Sequence, residues 1–175
     1  MGGRRGATLI MLLVILSVMA VGLLAAVPLW QTQVQREKEE ELIFRGRQVV
    51  EAVRLFLTRH PGQYPESLKE LYENRCLRRL YPDPMTPSGE WHIILLPGDA
   101  GRGTEGAAQR LFLVPQELLS TVRDRRLIGV ASSSPRKSFK VYNRASSYDQ
   151  WLFFYGQDPK QNPQVVRLGR GGAAG

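Results

Sequence analysis

The apolar positions divide the chain into one continuous run and a patterned remainder. From Ala7 to Trp30, 24 consecutive residues carry no charge, whereas charged residues are never far apart after Gln31. At about 1.5 Å per helical residue, the run reaches roughly 36 Å, slightly more than the hydrocarbon core of a bilayer. The pattern therefore predicts a transmembrane helix over residues 7–30.

The residues that follow this run show helical periodicity. Residues 31–58 contain one glycine and no proline, and their apolar residues recur at spacings of three and four. The acidic residues between Glu37 and Glu41 are assigned to the opposite, solvated face, with pairing to basic residues of an adjacent subunit as the alternative. His60-Pro61-Gly62 predicts the helix end, because proline cannot continue a helix. We therefore expect an amphipathic stalk helix over residues 31–60. Its apolar positions are Leu42, Val49, Val50, Val53, Phe56 and Leu57.

The rest of the chain alternates between turn-forming clusters and short β-prone runs, which predict three or four antiparallel strands in a globular head over residues 61–156. Residues 157–175 have too few large apolar side chains to pack and are predicted to form a flexible tail. The predicted fold class is α+β, with a long N-terminal transmembrane-plus-stalk helix and a small antiparallel sheet packed on its C-terminal half. The strand candidates are residues 90–96, 127–131, 138–142 and 150–155, with 111–114 as an edge strand or a loop.

The start of the chain carries the most specific signal. Arg4 and Arg5 precede Gly6, and Ala7 opens the apolar run. This junction resembles the prepilin cleavage motif of the type IV pilin and type II secretion pseudopilin family. The resemblance implies a leader over residues 1–6, cleavage between Gly6 and Ala7 by a prepilin peptidase, and methylation of Ala7. Pro28 stands where members of that family carry a proline that kinks the helix.

One position departs from the family pattern. The family has glutamate at the fifth residue of the mature chain, where it pairs with the N-terminal amine of a neighbouring subunit, and this chain has Met11. Methionine offers only dispersion contacts there, whereas an unpaired ammonium in an apolar environment is costly. Met11 therefore marks a divergent assembly position and favours a minor or divergent subunit over a major repeating one.

Two later segments resemble the pseudopilin head. Tyr64-Pro65 precedes a predicted short helix, for which Ser67 and Glu70 form a capping box. The proline-rich segment 77–84 resembles the crossover that leads into the pseudopilin sheet. The resemblance covers residues 1–96, and the strand-rich end shares only its general character.

The basic leader also predicts an orientation. The positive-inside rule keeps Arg4 and Arg5 in the cytoplasm, which predicts a single-pass protein of the bacterial inner membrane with its C-terminal domain outside the cytoplasm. An unrelated exported domain on an uncleaved signal anchor is the alternative.

The net charge of +8 raises the possibility of nucleic-acid binding. Basic residues alternate with acids, as in Arg36-Glu37-Lys38-Glu39, which favours an ordinary solvated surface. No nucleic-acid partner is therefore expected. A minor pilin that binds DNA in an uptake pilus stays open as an alternative.

No catalytic or cofactor site is predicted. His60 and His92 have no companions at ligand spacing, and Cys76 is the single cysteine. The residues instead predict a structural subunit, and the resemblance implies a type II secretion pseudopilus or a pilus-like filament that acts in protein secretion. Its expected partners are other pilin or pseudopilin subunits, the prepilin peptidase, an inner-membrane assembly platform and membrane lipid.

Overall fold

The computed structural model describes residues 3–97, 110–157 and 163–168, with the side chains of 3–5 and 23–31 outside that description. The chain divides into two compact units, Met1–Glu37 and Lys38–Gly175. Each unit is described by itself below.

Two helices precede the strands. Helix α1 runs over Gly3–Arg59, and its last turn closes with the amide of His60 donating to the carbonyl of Phe56 at 2.8 Å. Helix α2 covers Leu68–Glu73. Its N-cap is Ser67, whose Oγ accepts from the amide of Glu70 at 3.2 Å, which is one half of the predicted capping box. The Glu70 carboxylate accepts from the amide of Glu66 at 2.6 Å, one residue before the position that a capping box uses.

The predicted transmembrane span is wrong. Among the described residues, no helix is long and apolar enough to cross a membrane. This finding overturns the fold class as predicted, with its long transmembrane-plus-stalk helix, and it contradicts the single-pass inner-membrane localisation.

The second unit is α+β and contains a curled five-stranded sheet. The strand order is β6-β3-β1-β2-β7, and all neighbours are antiparallel except β2 and β7, which are parallel. The sheet is therefore mixed, whereas an antiparallel sheet was predicted. Strand β7 lies in the range predicted as a tail, and it pairs there because its backbone completes the edge of β2. The strands are β1 (Trp91–Leu95), β2 (Arg110–Pro115), β3 (Leu127–Ser132), β4 (Lys137–Tyr142), β5 (Ala145–Ser147), β6 (Leu152–Phe154) and β7 (Gln164–Arg167).

Strands β4 and β5 form a separate two-stranded hairpin. Its two-residue turn consists of Asn143 and Arg144, which have positive φ values of 47° and 65°. Positive φ at both central residues matches the right-handed twist of the flanking strands. The hairpin is joined to the core by Tyr142, whose ring packs 5.5 Å from that of Trp151 and 5.1 Å from that of Phe153.

The core of the second unit lies between one stripe of α1 and one face of the sheet. Leu42, Val49, Val53 and Phe56 are buried in the same cluster as sheet residues such as Trp91 and Val130. Gly46 belongs to this stripe because the ring of Phe153 occupies the space that a β-carbon would take. The helix and the sheet therefore approach more closely here than a larger residue would permit.

Candidate assembly surface

The first unit exposes an apolar helix. Every residue from Gly6 to Gly22 is exposed, including a run of large aliphatic side chains. The one polar side chain near its middle, Ser17, donates from Oγ to the carbonyl of Leu13 at 2.8 Å, so its hydroxyl hydrogen is satisfied within the helix. A helix that is apolar on all sides is normally buried on all sides. The exposed large side chains are Leu9, Ile10, Met11, Leu12, Leu13, Val14, Ile15, Leu16, Val18, Met19 and Val21.

The residues predicted from the family resemblance lie in this helix. The Gly6–Ala7 bond lies near the start of α1, and a β-carbon added at Gly6 would meet no atom within 4 Å. Met11 is 66% exposed, so its thioether side chain is available to an apolar neighbour. Pro28 falls within α1, but its side chain lies outside the described residues.

The second unit contains a buried carboxylate, Glu39, whose environment was predicted wrongly. Glu39 was assigned to the solvated face, yet its side chain is fully buried. Its Oε1 accepts from the amide of Phe139 and from the hydroxyl of Tyr148, both at 2.7 Å. Its Oε2 accepts from the amide of Lys140 at 3.1 Å. One carboxylate thus satisfies two backbone donors of β4 and ties the hairpin to α1.

The helical spacing of residues along α1 would have predicted that Glu39 is buried. Its position is three residues before Leu42, in phase with Gly46 and Val49 on the buried stripe. The neighbouring acids behave as surface residues. Glu40 pairs with Lys140 at 2.8 Å, so the acidic run is paired within the chain.

A second buried carboxylate braces the loop that leads into the sheet. Asp83 accepts from the hydroxyl of Ser132 at 2.7 Å and from the amides of Met85 and Ser133 at 2.8 and 3.2 Å. Each donor is a neutral hydroxyl or amide. The arrangement is therefore a structural brace between the loop and β3.

The other candidate groups are dispersed. His60 stacks on Phe56 with ring centroids 4.8 Å apart, whereas His92 lies in β1. Burial lowers the pKa of His92, and the nearby Arg167 adds to the effect. Cys76 is buried and free. Across the described part of the chain, no three His, Cys, Asp or Glu residues lie close enough to hold a metal ion.

No known protein family, curated protein or solved structure matches this chain, so the comparisons lend no support to the pseudopilin and secretion assignments.

Proposed function

We propose that the chain is a structural subunit of a pilin-like filament, which assembles through the apolar segment of α1. The observation that carries this proposal is the exposure of that segment on every side over residues 6–22. The family resemblance of the Gly6–Ala7 junction supports it. The second unit supplies the folded domain that each subunit brings to the filament.

The proposed occupant of this surface is the same segment of other copies. Complete burial of one Val, Leu, Ile or Met side chain contributes about 1.5–3 kcal/mol, so a few of these residues outweigh the entropic cost of association. A helix that is apolar all round needs several neighbours to cover it. Contacts that repeat from copy to copy without closing generate a helical filament.

Processing fits the same scheme. Removal of residues 1–6 by a prepilin peptidase would take Arg4 and Arg5 away from the end that assembles, and charged groups there oppose apolar packing. The new amine at Ala7 would then lie four residues from Met11, which cannot neutralise it. The proposed place of this subunit is therefore at an end of the filament or as a minor component.

Disulfide cross-linking of the full chain tests the assembly surface. In a Cys76→Ala background, Val18→Cys places a thiol in the apolar segment, and Arg123→Cys places one on an exposed loop of the second unit. Close packing of neighbouring helices predicts oxidised multimers for V18C and far fewer for R123C. Equal cross-linking of both variants, or none for V18C, would contradict assembly through α1.

Intact mass and N-terminal sequencing of the protein from its own cells test the processing separately. A mature chain that begins at methylated Ala7 is the expected result. An intact Met1 with positive cross-linking would keep the assembly surface and remove prepilin processing from the proposal.

A further inference from the structure

An exposed aromatic and basic surface lies on the second unit. Phe44 and Leu80 are 49% and 51% exposed, and the ring of Phe44 meets that of Tyr81 edge-on at 6.4 Å between centroids. The guanidinium of Arg79 stands 4.7 Å over the Tyr81 ring. We call Phe44, Arg78, Arg79, Leu80 and Tyr81 the Arg-Tyr surface. Phenylalanine, tyrosine and arginine are the residue types enriched at protein–protein interfaces.

The segment just before the Arg-Tyr surface is held in place by hydrogen bonds to helix α2. The amides of Cys76 and Leu77 both donate to the carbonyl of Leu71, at 2.9 and 3.0 Å, and both side chains are buried. Arg78 to Leu80 follow at once and are exposed. The buried pair therefore projects the next three side chains into solvent.

The segment at the other end of the surface, Tyr81 and Pro82, is also held in place. The indole nitrogen of Trp91 donates to the carbonyl of Tyr81 at 2.7 Å, and Arg45 donates to the carbonyl of Pro82 at 2.7 Å. Both carbonyls are therefore held by side chains from other elements. A surface held in place in this way loses little entropy when a partner binds.

A cavity of about 320 Å³ opens beside this surface. Leu80 and Tyr81 form one side of it, and its lining includes the apolar side chains of Leu68, Ile93 and Leu119. Lys69 and Glu90 also line it and carry opposite charges. A cavity of this size next to exposed arginines accepts one apolar side chain of a partner, while carboxylates of the partner reach the arginines.

The charges of this region favour an acidic partner. Arg75 and Arg78 are exposed, and neither has an ion-pair partner within the described ranges. Of the nearest acids along the chain, Asp83 is buried and accepts from Ser132, and Glu73 pairs with Lys69. The surface therefore carries an excess of positive charge that an acidic partner would complement.

A second copy of this chain matches this surface less well than an acidic protein does. The chain carries a net charge of +8, and its densest acidic run is committed internally. Glu39 is buried against β4, Glu40 pairs with Lys140, and Glu41 pairs with Arg45. A second copy would bring like charge to this surface, so a different protein is the better match.

We propose that the Arg-Tyr surface binds an acidic segment of a different protein, which inserts one apolar side chain into the adjacent cavity. The proposal goes beyond filament assembly, because it uses only residues of the second unit and does not need the apolar segment of α1.

The test uses the full chain in a non-ionic detergent, which covers the apolar segment and keeps the protein monomeric. The probes are a fluorescent peptide of twelve residues, made of Asp and Glu with one central Leu, the same peptide with Ser in place of Leu, and a labelled oligo-dT of similar length. Fluorescence anisotropy measures the affinity of each. The Leu peptide should bind about tenfold more tightly than the Ser peptide, as expected for burial of one aliphatic side chain.

Matched charge reversals locate the binding. Arg78→Glu with Arg79→Glu should weaken the Leu peptide at least about tenfold, as for two interfacial charge contacts. Arg123→Glu with Lys137→Glu changes the net charge equally at exposed positions elsewhere and should weaken it far less. The tryptophan emission of both variants checks that they are folded.

Four results would overturn the proposal. Equal weakening of Leu-peptide binding by both double variants would show that overall charge, and not this surface, causes the effect. Equal affinity for the Leu and Ser peptides would remove the cavity from recognition. Tighter binding of oligo-dT than of the Leu peptide would assign the surface to nucleic acid, and no binding of the Leu peptide would remove the site altogether.

Discussion

Glu39 offers the sharpest test of how the second unit is held together. Glu39→Ala would remove the acceptor of the Phe139 and Lys140 amides and of the Tyr148 hydroxyl, which are all buried or partly buried. Hydrogen bonds to a charged group contribute about 1.5–3 kcal/mol each. Part of that sum is offset because the variant no longer buries a charge. We therefore expect Glu39→Ala to lower the free energy of unfolding by about 3–5 kcal/mol.

A conservative replacement separates charge from shape. Glu39→Gln keeps the side-chain volume and one carbonyl oxygen, but it turns an NH₂ group towards donors, so the expected loss is about 1–3 kcal/mol. A double-mutant cycle with Tyr148→Phe should show a coupling of about 0.5–3 kcal/mol, because the two side chains share one hydrogen bond.

Urea unfolding of the full chain in detergent measures these losses, with the emission of the buried Trp91 and Trp151 as the probe. Hydrogen exchange of the β4 amides adds a local readout, because they should exchange faster in Glu39→Ala even under native conditions. Glu40→Ala is the matched control, since it removes an exposed carboxylate one residue away that contacts the same strand. Identical unfolding midpoints and β4 exchange rates in the two variants would refute the role assigned to Glu39.

Two further predictions concern the sheet. Gly129→Ala should lower the free energy of unfolding by about 1–3 kcal/mol, because its β-carbon would collide with the backbone of Phe153 and Phe154. The control is Gly22→Ala, whose β-carbon would meet no atom within 4 Å. Equal urea midpoints for the two variants would contradict the prediction. His92 has a lowered pKa in the folded state, so the unfolded chain binds its proton more tightly, and stability should fall as the pH drops below about 6.5. Urea midpoints between pH 7.5 and 5.5 should depend less on pH in His92→Phe, and an unchanged dependence would show that other groups cause it.

The local elements of the second unit follow from its sequence better than their arrangement does. The β-prone segment 90–96 contains β1 (Trp91–Leu95), and 127–131 lies within β3 (Leu127–Ser132), because β-prone runs and the turn residues that flank them are local signals. The partner of each strand is not local information. The central place of β1, between β3 and β2, could not be predicted from any one segment.

Three features had no clear local signal or a misleading one. Strand β7 has only two adjacent valines in a polar setting, so its composition indicated a tail. Glu39 was placed by its charge, although its phase on the helix pointed to the core. The uncharged run from Ala7 to Trp30 predicted a membrane span from length alone, whereas no helix of the described residues is long and apolar enough to cross a membrane.

The candidate surfaces were predictable to different degrees. The apolar segment of α1 is visible in the sequence because no charge interrupts it. The Arg-Tyr surface is not, because Phe44 and Tyr81 come from distant parts of the chain and meet only in the folded unit. Its cavity likewise depends on residues from α2, β1 and the turn after β2.

The parallel pairing of β2 and β7 has a consequence for biosynthesis. Leu113 lies opposite Arg167, so about fifty residues must be translated after β2 before its outer edge is covered. At ordinary rates of synthesis this takes about 3–10 s, during which β2 presents unpaired amide and carbonyl groups to other chains. A truncation before Gln164 would make that exposure permanent. The last strand therefore protects the completed sheet, and not the nascent one, against pairing with the wrong chain.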